Sequence, residues 1–180
     1  MIKSLTLFWL HCKLYWLYIG VLFAYLACMK TILFILTSLA LTQAGHTESD
    51  KARLVHIEPE YRLAAVKYGV NPIMFKALLQ VESGYDHKAV NPLTMDFGIG
   101  QINYRTAEAY NIDIKRLRSD RTYSIDRAAF ILSTFQFKFQ KREPATWVCR
   151  YNVGWQKLEG KAAKRCAHYL WKIKTAMEAI

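Results

Sequence analysis

From Pro59 to the C-terminus the apolar residues recur at intervals of three and four, the spacing of one face of an α-helix. "PEYRLAAVKYG" (59–69) opens on proline and stops at glycine, the asymmetry expected of a helix. "NPIMFKALLQVESG" (71–84) has Asn71 as a cap, Pro72 at the first helical position and Gly84 as its stop. The longest periodic segment, "TYSIDRAAFILSTFQFKFQKR" (122–142), carries a broad stripe of Ile125, Ala128, Ala129, Ile131, Leu132 and Phe135. "EPATWVCRYNVG" follows, and "GKAAKRCAHYLWKIKTAMEAI" closes the chain as an amphipathic helix. The stretch from Tyr85 to Asn103 breaks the period: "NPLTMDFGIGQIN", with one proline and two glycines, predicts a loop or a short irregular strand. The pattern predicts a mainly α fold, one helical domain over residues 58–180, with no internal repeat and no low-complexity tract.

Upstream the pattern is different. From Leu14 to Leu41 the only charged residue is Lys30. "MKTILFILTSLALTQAG" (Met29 to Gly45) has the parts of a secretory signal: a basic start at Lys30, an apolar run from Ile32 to Leu41, and small or polar residues up to Ala44. Residues 1–44 are therefore expected to be a signal peptide or hydrophobic N-terminal region, with translation starting at Met29 as the favoured reading. A single membrane anchor over 14–41 is the alternative, and Lys30 weighs against it, since a central lysine costs about 2.5–3.5 kcal/mol in a spanning helix. A lipoprotein site at Cys28 is a third, but "AYLAC" has tyrosine where leucine is usual. The polar residues 45–57 read as a linker. Every one of these readings exports the domain, and the expected location is the periplasm.

Export bears on the cysteines. Cys12 and Cys28 lie in the targeting region, leaving Cys149 and Cys166, and an even pair in an oxidising compartment is expected to form a disulfide. The alternative is two separately buried thiols. The formal charge is +11; residues 1–44 contribute three lysines and no acid, so +8 remains on the rest. A basic domain suits an anionic partner such as nucleic acid, lipid or a wall polymer. Export argues against nucleic acid, as does the lack of a Lys/Arg cluster interleaved with aromatics. Solvated surface is the plainer account of the charge.

One ionisable residue stands where the helical pattern expects an apolar one. Met74, Leu78 and Glu82 are four apart, and Phe75 and Val81 fill the same side, so Glu82 ends an apolar line. A carboxyl so placed has its charged form disfavoured and its pKa raised, which is what a general acid needs. Glu82 also lies one residue from the helix-ending Ser83-Gly84, where it can simply face water. Helical position alone leaves both readings open.

The words around it decide. "ESGY", "GIGQIN" and "RYNVG" occur in this order, and Glu82-Ser83, Gly98 to Asn103 and Tyr151-Asn152 resemble the ordered signature of lytic transglycosylases with a goose-lysozyme-like (SLT-type) catalytic domain. The resemblance runs from about Pro59 to the C-terminus. "YRTAEAY" (104–110) and the long periodic segment stand where that family has its short post-loop helix and its long helix. The small size and the wording "DFGIGQIN" are most similar to the specialised members that accompany conjugation, type IV or type III secretion machines.

The resemblance implies an enzyme that cleaves the β-1,4 bond between N-acetylmuramic acid and N-acetylglucosamine in peptidoglycan, leaving 1,6-anhydro ends, with Glu82 as its one catalytic acid. It implies substrate-binding roles for Ser83, Gly98, Gln101, Asn103, Tyr151 and Asn152: Ser83 on substrate or cleft wall, Gly98 and Gly100 giving close backbone approach to a sugar, Tyr151 on the Glu82 carboxyl, and Asn152 on the loop of that tyrosine. Family members often have methionine where Gly100 stands, which implies a roomier subsite here. Asp96 is expected to order the glycine loop rather than share the chemistry. Among the aromatics, Tyr85, Tyr104, Tyr110, Trp147 and Trp155 are candidates for sugar stacking or for the core. The scattered histidines have no ligand spacing, so no metal and no cofactor are expected. Expected partners are wall glycan strands and components of a secretion or conjugation machine, with the protein itself a monomer. A muramidase that uses water and a non-catalytic wall-binding subunit are the two competing readings; the intact Glu82 argues against the second.

Overall fold

A computed structural model describes residues 29–32, 53–54 and 56–179. The chain divides into two units, Met1–Glu48 and Ser49–Ile180. In the first, only one helical turn at residues 29–32 is described, so the signal, anchor and lipoprotein readings lie outside the described residues. Among those described, no helix is long and apolar enough to cross a membrane.

The second unit is mainly helical, as the periodicity predicts. Helix α1 spans residues 56–68 and buries Ile57, Tyr61, Ala64 and Ala65, a spacing of four, three and one that lines one face. It begins earlier than Pro59. Ile57 is buried and Leu54 packs against the same core, so the end of the stretch read as a polar linker belongs to the domain. Helix α2 (Pro72–Ser83) starts as its residues predict, with Asn71 Oδ1 accepting from the N–H groups of Ile73 at 2.9 Å and Met74 at 3.1 Å. It ends at Gly84 in the left-handed region, φ 59°.

The irregular stretch holds three two-residue strands, β1 (Val90–Asn91), β2 (Asp96–Phe97) and β3 (Ile102–Asn103), paired antiparallel in that order. The register sets Asp96 opposite Asn103 and Phe97 opposite Ile102. Helix α3 (Tyr104–Ala109) follows. Helix α4 (Ile114–Ser119) was not evident from hydrophobic spacing; its sign in the sequence is Asp113, whose carboxylate caps Lys115 and Arg116. Helix α5 (Arg121–Phe139) has Asp120 as cap, and its last residues up to Arg142 are turn rather than helix. A short 3₁₀ turn (Trp147–Cys149) runs into α6 (Arg150–Val153), and α7 (Gly160–Glu178) closes the domain.

Two apolar clusters share α5 as their wall. The larger joins α1, α2 and α7 to the side of α5 carrying Ile125, Ala128, Ala129 and Leu132. The smaller joins β2, β3, α3 and α4 to Ile131 and Phe135 on its other side. The broad stripe of α5 is broad because both of its flanks are buried.

The expected pair forms: Cys149 and Cys166 are bonded, S–S 2.07 Å, joining the 3₁₀ turn to α7. The neighbouring Arg150 is buried, and its guanidinium reaches Glu143 through two bonds of 2.5 and 2.9 Å and lies 4.4 Å from the Phe139 ring centroid. Together they fix the segment that carries Tyr151. The bridge spans 17 residues, for which chain entropy gives about 3 kcal/mol. Urea unfolding with and without reductant should show a loss of that order; coincident transitions would mean that the bridge contributes nothing.

Candidate functional site

A groove of about 620 Å³ lies between the β2–β3 hairpin and α3 on one side and the Tyr151–Gln156 segment on the other, with Ile131 and Phe135 of α5 also lining it. Glu82, Asp96, Gln101, Asn103, Tyr151 and Asn152 all line it, although they come from four separate stretches of chain. Ser83 and Gly98 do not. They lie in the wall behind it.

Glu82 is the penultimate residue of α2, on the side packed against α7. It is half-buried, so the residue touches the groove, yet the atoms crowded around its carboxyl remove most of the water that would stabilise a charge. That desolvation is the main reason its pKa rises from 4.5 to about 7. The negative Asp96 pushes in the same direction, whereas a hydrogen bond from Tyr169 and the positive Lys172 pull it down. The Tyr169 hydroxyl donates to Glu82 Oε1 at 2.6 Å.

That contact corrects the expectation for Tyr151. The Tyr151 hydroxyl donates to the Gly100 carbonyl at 2.7 Å, and it is Tyr169 of α7 that holds Glu82. Burial and the nearby Glu82 charge raise both phenols well above their ordinary pKa, so each keeps its proton and remains a donor. A sequence signal for Tyr169 did exist. The buried face of α7 reads Ala162, Cys166, Tyr169, Ile173 and Ala176, and Tyr169 alone on it has a hydroxyl to satisfy.

The glycine loop is clamped from three sides. The Ile99 carbonyl accepts from Ser83 Oγ at 2.8 Å, the Ile99 N–H donates to the buried Ser124 Oγ at 3.1 Å, and Tyr151 holds the Gly100 carbonyl. Ser83 therefore binds the cleft wall. The two glycines serve the same packing rather than an approach to sugar. Gly98 has φ 75°, and a Cβ there would strike Ser124 Oγ and the Leu117 carbonyl oxygen, the latter at 2.6 Å. At Gly100 a Cβ would come within 2.5 Å of Ala128 Cβ and 2.7 Å of the Tyr151 hydroxyl. The space that a larger residue would take is filled by Ala128 and Tyr151, so Gly100 does not open a roomier subsite.

Gln101 Nε2 donates to the carbonyls of Gly98 at 2.9 Å and Ala89 at 3.3 Å. Asn103 Nδ2 donates to Asp96 Oδ1 at 2.8 Å and to the Thr94 carbonyl at 2.6 Å, while its Oδ1 caps α3. Asp96 also accepts from the Thr94 hydroxyl. These three residues hold the hairpin in shape while exposing an edge to the groove. Of the aromatic candidates, Tyr110 and Trp155 line the groove, Tyr85 and Trp147 are core, and Tyr104 lies against Arg105. Among the described residues no group of three His, Cys, Asp or Glu side chains is disposed to hold a metal ion.

Residues 61–171 match the model of the family described as the Transglycosylase SLT domain, which covers more than half of the chain. No curated protein matches it.

Tyr169→Phe removes a donor that favours the carboxylate, so the Glu82 pKa should move up from about 7. Carbon-detected NMR titration of the carboxyl reads this directly, and an unmoved or lowered value would separate Tyr169 from the tuning of Glu82. Stability should follow the same proton. Because the folded pKa lies above the unfolded one, the native state gains from the proton below pH 4.5 and loses that gain as pH rises through about 7, up to about 3 kcal/mol. Chemical denaturation of wild type against Glu82→Gln across that window should show the two curves diverging.

Proposed function

The chain belongs to the transglycosylase SLT domain family, and on that premise we propose that it is an exported peptidoglycan lytic transglycosylase with Glu82 as its catalytic acid and base. The observation that carries this reading is the single desolvated carboxyl at the groove, whose pKa of about 7 lets it hold a proton near neutrality. Protonated Glu82 gives its proton to the glycosidic oxygen between N-acetylmuramic acid and N-acetylglucosamine. The bond to the muramic C1 breaks, and the positive charge developing there is steadied by the neighbouring acetamido group. The Glu82 carboxylate then takes the proton of the muramic 6-hydroxyl, whose oxygen closes on C1. The products are a 1,6-anhydro end and a free 4-hydroxyl, and Glu82 ends as it began, protonated. No water is consumed.

An ordinary glycosidase sets a second carboxylate on the far side of the sugar as nucleophile or base. Asp96 shares the groove, but both its oxygens accept bonds from Asn103 and Thr94, which suits an ordering role. Its negative charge also raises the Glu82 pKa. Tyr169 positions the Glu82 carboxyl, and the edges of Gln101, Asn103 and Asn152 offer amides to the N-acetyl groups. Action on the wall requires export, which the signal-like stretch 29–45 and the disulfide favour. The small domain and the "DFGIGQIN" wording favour service to a secretion or conjugation machine that needs a local opening.

Glu82→Gln should lower wall clearing at least about 100-fold while the protein stays folded. Retained clearing would dismiss Glu82 as the acid. Mass spectrometry of the digested glycan should find anhydro ends; reducing ends alone would make the enzyme a muramidase, and intact strands would leave it a binder. Since the proton donor must be loaded, the rate in excess strand should fall as pH rises through about 7.

A further inference from the structure

Trp155 is a wall of two cavities. One is the groove; the other, about 290 Å³, lies at the C-terminal end of α5 and is lined by Phe137, Lys138, Phe139, Arg142 and Trp155. The second has features that folding does not account for. Phe137 is 88% exposed, a large apolar ring held in water, and Trp155 is 56% exposed. Lys138 Nζ stands 4.4 Å from the Trp155 ring centroid. Neither Lys138 nor Arg142 has a carboxylate within ion-pair distance among the described residues, and the nearby Glu143 is already held by Arg150. A cation near a helix C-terminus is favoured by the helix dipole, which accounts for Lys138 alone. It accounts neither for Arg142, beyond the helix end, nor for the exposed ring beside it.

We propose that this second cavity is a distal subsite for the same wall strand, with a sugar face on Phe137 and Trp155 and the carboxylates of a peptide stem on Lys138 and Arg142. The proposal rests on the reading of the Glu82 groove as the site of strand cleavage. Continuity carries the path: a polymer lying in the groove and leaving past Trp155 enters the second cavity without crossing another surface. Charge carries the chemistry. A strand stripped of peptide keeps only the lactyl carboxylate of each muramic acid, close to the sugar ring, whereas a peptide stem carries several carboxylates outward to its end, the groups that two cations unpaired among the described residues and set beside aromatic rings are suited to take. The subsite therefore selects peptide-bearing strands over stripped ones, and it does so remote from the bond cleaved.

Binding in the Glu82→Gln background, where strands stay whole, tests this by isothermal titration. The two probes are soluble peptide-bearing strands and the same strands stripped of peptide by an amidase. The parent should prefer the peptide-bearing strands, and Lys138→Glu with Arg142→Glu should lower that preference about tenfold, two exposed charge contacts being turned repulsive. Phe137→Ala should weaken binding of both strands a few-fold. Should the charge reversal disturb the fold, seen as a lowered thermal midpoint, Lys138→Gln with Arg142→Gln reads the same ratio. An unchanged ratio, or a parent with no preference, overturns the subsite. The cleavage reading fails on a different observation, wild type that leaves strands uncut, so the two failures are distinguishable.

Discussion

A carboxyl kept from water at the seam of two helices is the constraint around which the rest of this domain is arranged. Glu82 ends α2 against α7, and its position makes ionisation costly there. Burial without a partner would drive such a group further from its ordinary pKa or out of the interior altogether. Tyr169 prevents both. By donating to the carboxylate it returns part of the lost solvation, and the balance falls near neutrality, where a proton can be held and released. The site thus depends on how α7 sits against α2, and the sequence separation of 87 residues between the two groups makes that a property of the tertiary fold.

The glycine loop shows the same dependence in its backbone. Ser83 stands beside Glu82 in sequence and holds Ile99; Ser124 in α5 holds the other side of Ile99; Tyr151 holds Gly100. Three helices therefore meet on a two-residue stretch of main chain, and only residues without Cβ fit at Gly98 and Gly100. Reading glycine as room for a ligand was reasonable from the sequence, because glycine leaves the same mark whether ligand or protein comes close. Here the close neighbours are Ser124, Leu117, Ala128 and the Tyr151 hydroxyl.

The difference between what was readable and what was not follows the range of the interaction. Helices α2, α5 and α7 declare themselves through spacing and caps, which are local: Asn71 and Pro72 start α2 and Gly84 stops it. The cysteine pair was readable because only two candidates remain outside the N-terminal region. The groove-lining members Glu82, Gln101, Asn103, Tyr151 and Asn152 were readable only as words in a fixed order. Their partners were not, since which tyrosine meets Glu82 is settled by the packing of α7. The early start of α1 was hidden for a related reason: Leu54, Val55 and Ile57 form a short apolar group at the end of a polar stretch, and it is the assembled core that buries Ile57 and receives Leu54.

Seen from α7, the covalent and the acid–base features are one arrangement. Cys166 and Tyr169 lie three residues apart on the same buried face, so the bridge to Cys149 fixes that helix within a turn of the hydroxyl that meets Glu82. At its other end the bridge fixes the segment bearing Tyr151, which clamps the opposite wall of the groove. A hydrogen bond of 2.6 Å tolerates little displacement, and a carboxyl in a desolvated place has no water to turn to if its donor moves. The bridge therefore acts on the site at both ends through geometry. Its entropy term reports on the unfolded chain, whereas the alignment of Tyr169 and Tyr151 is a property of the folded one, and it is the folded alignment that sets the proton affinity of Glu82.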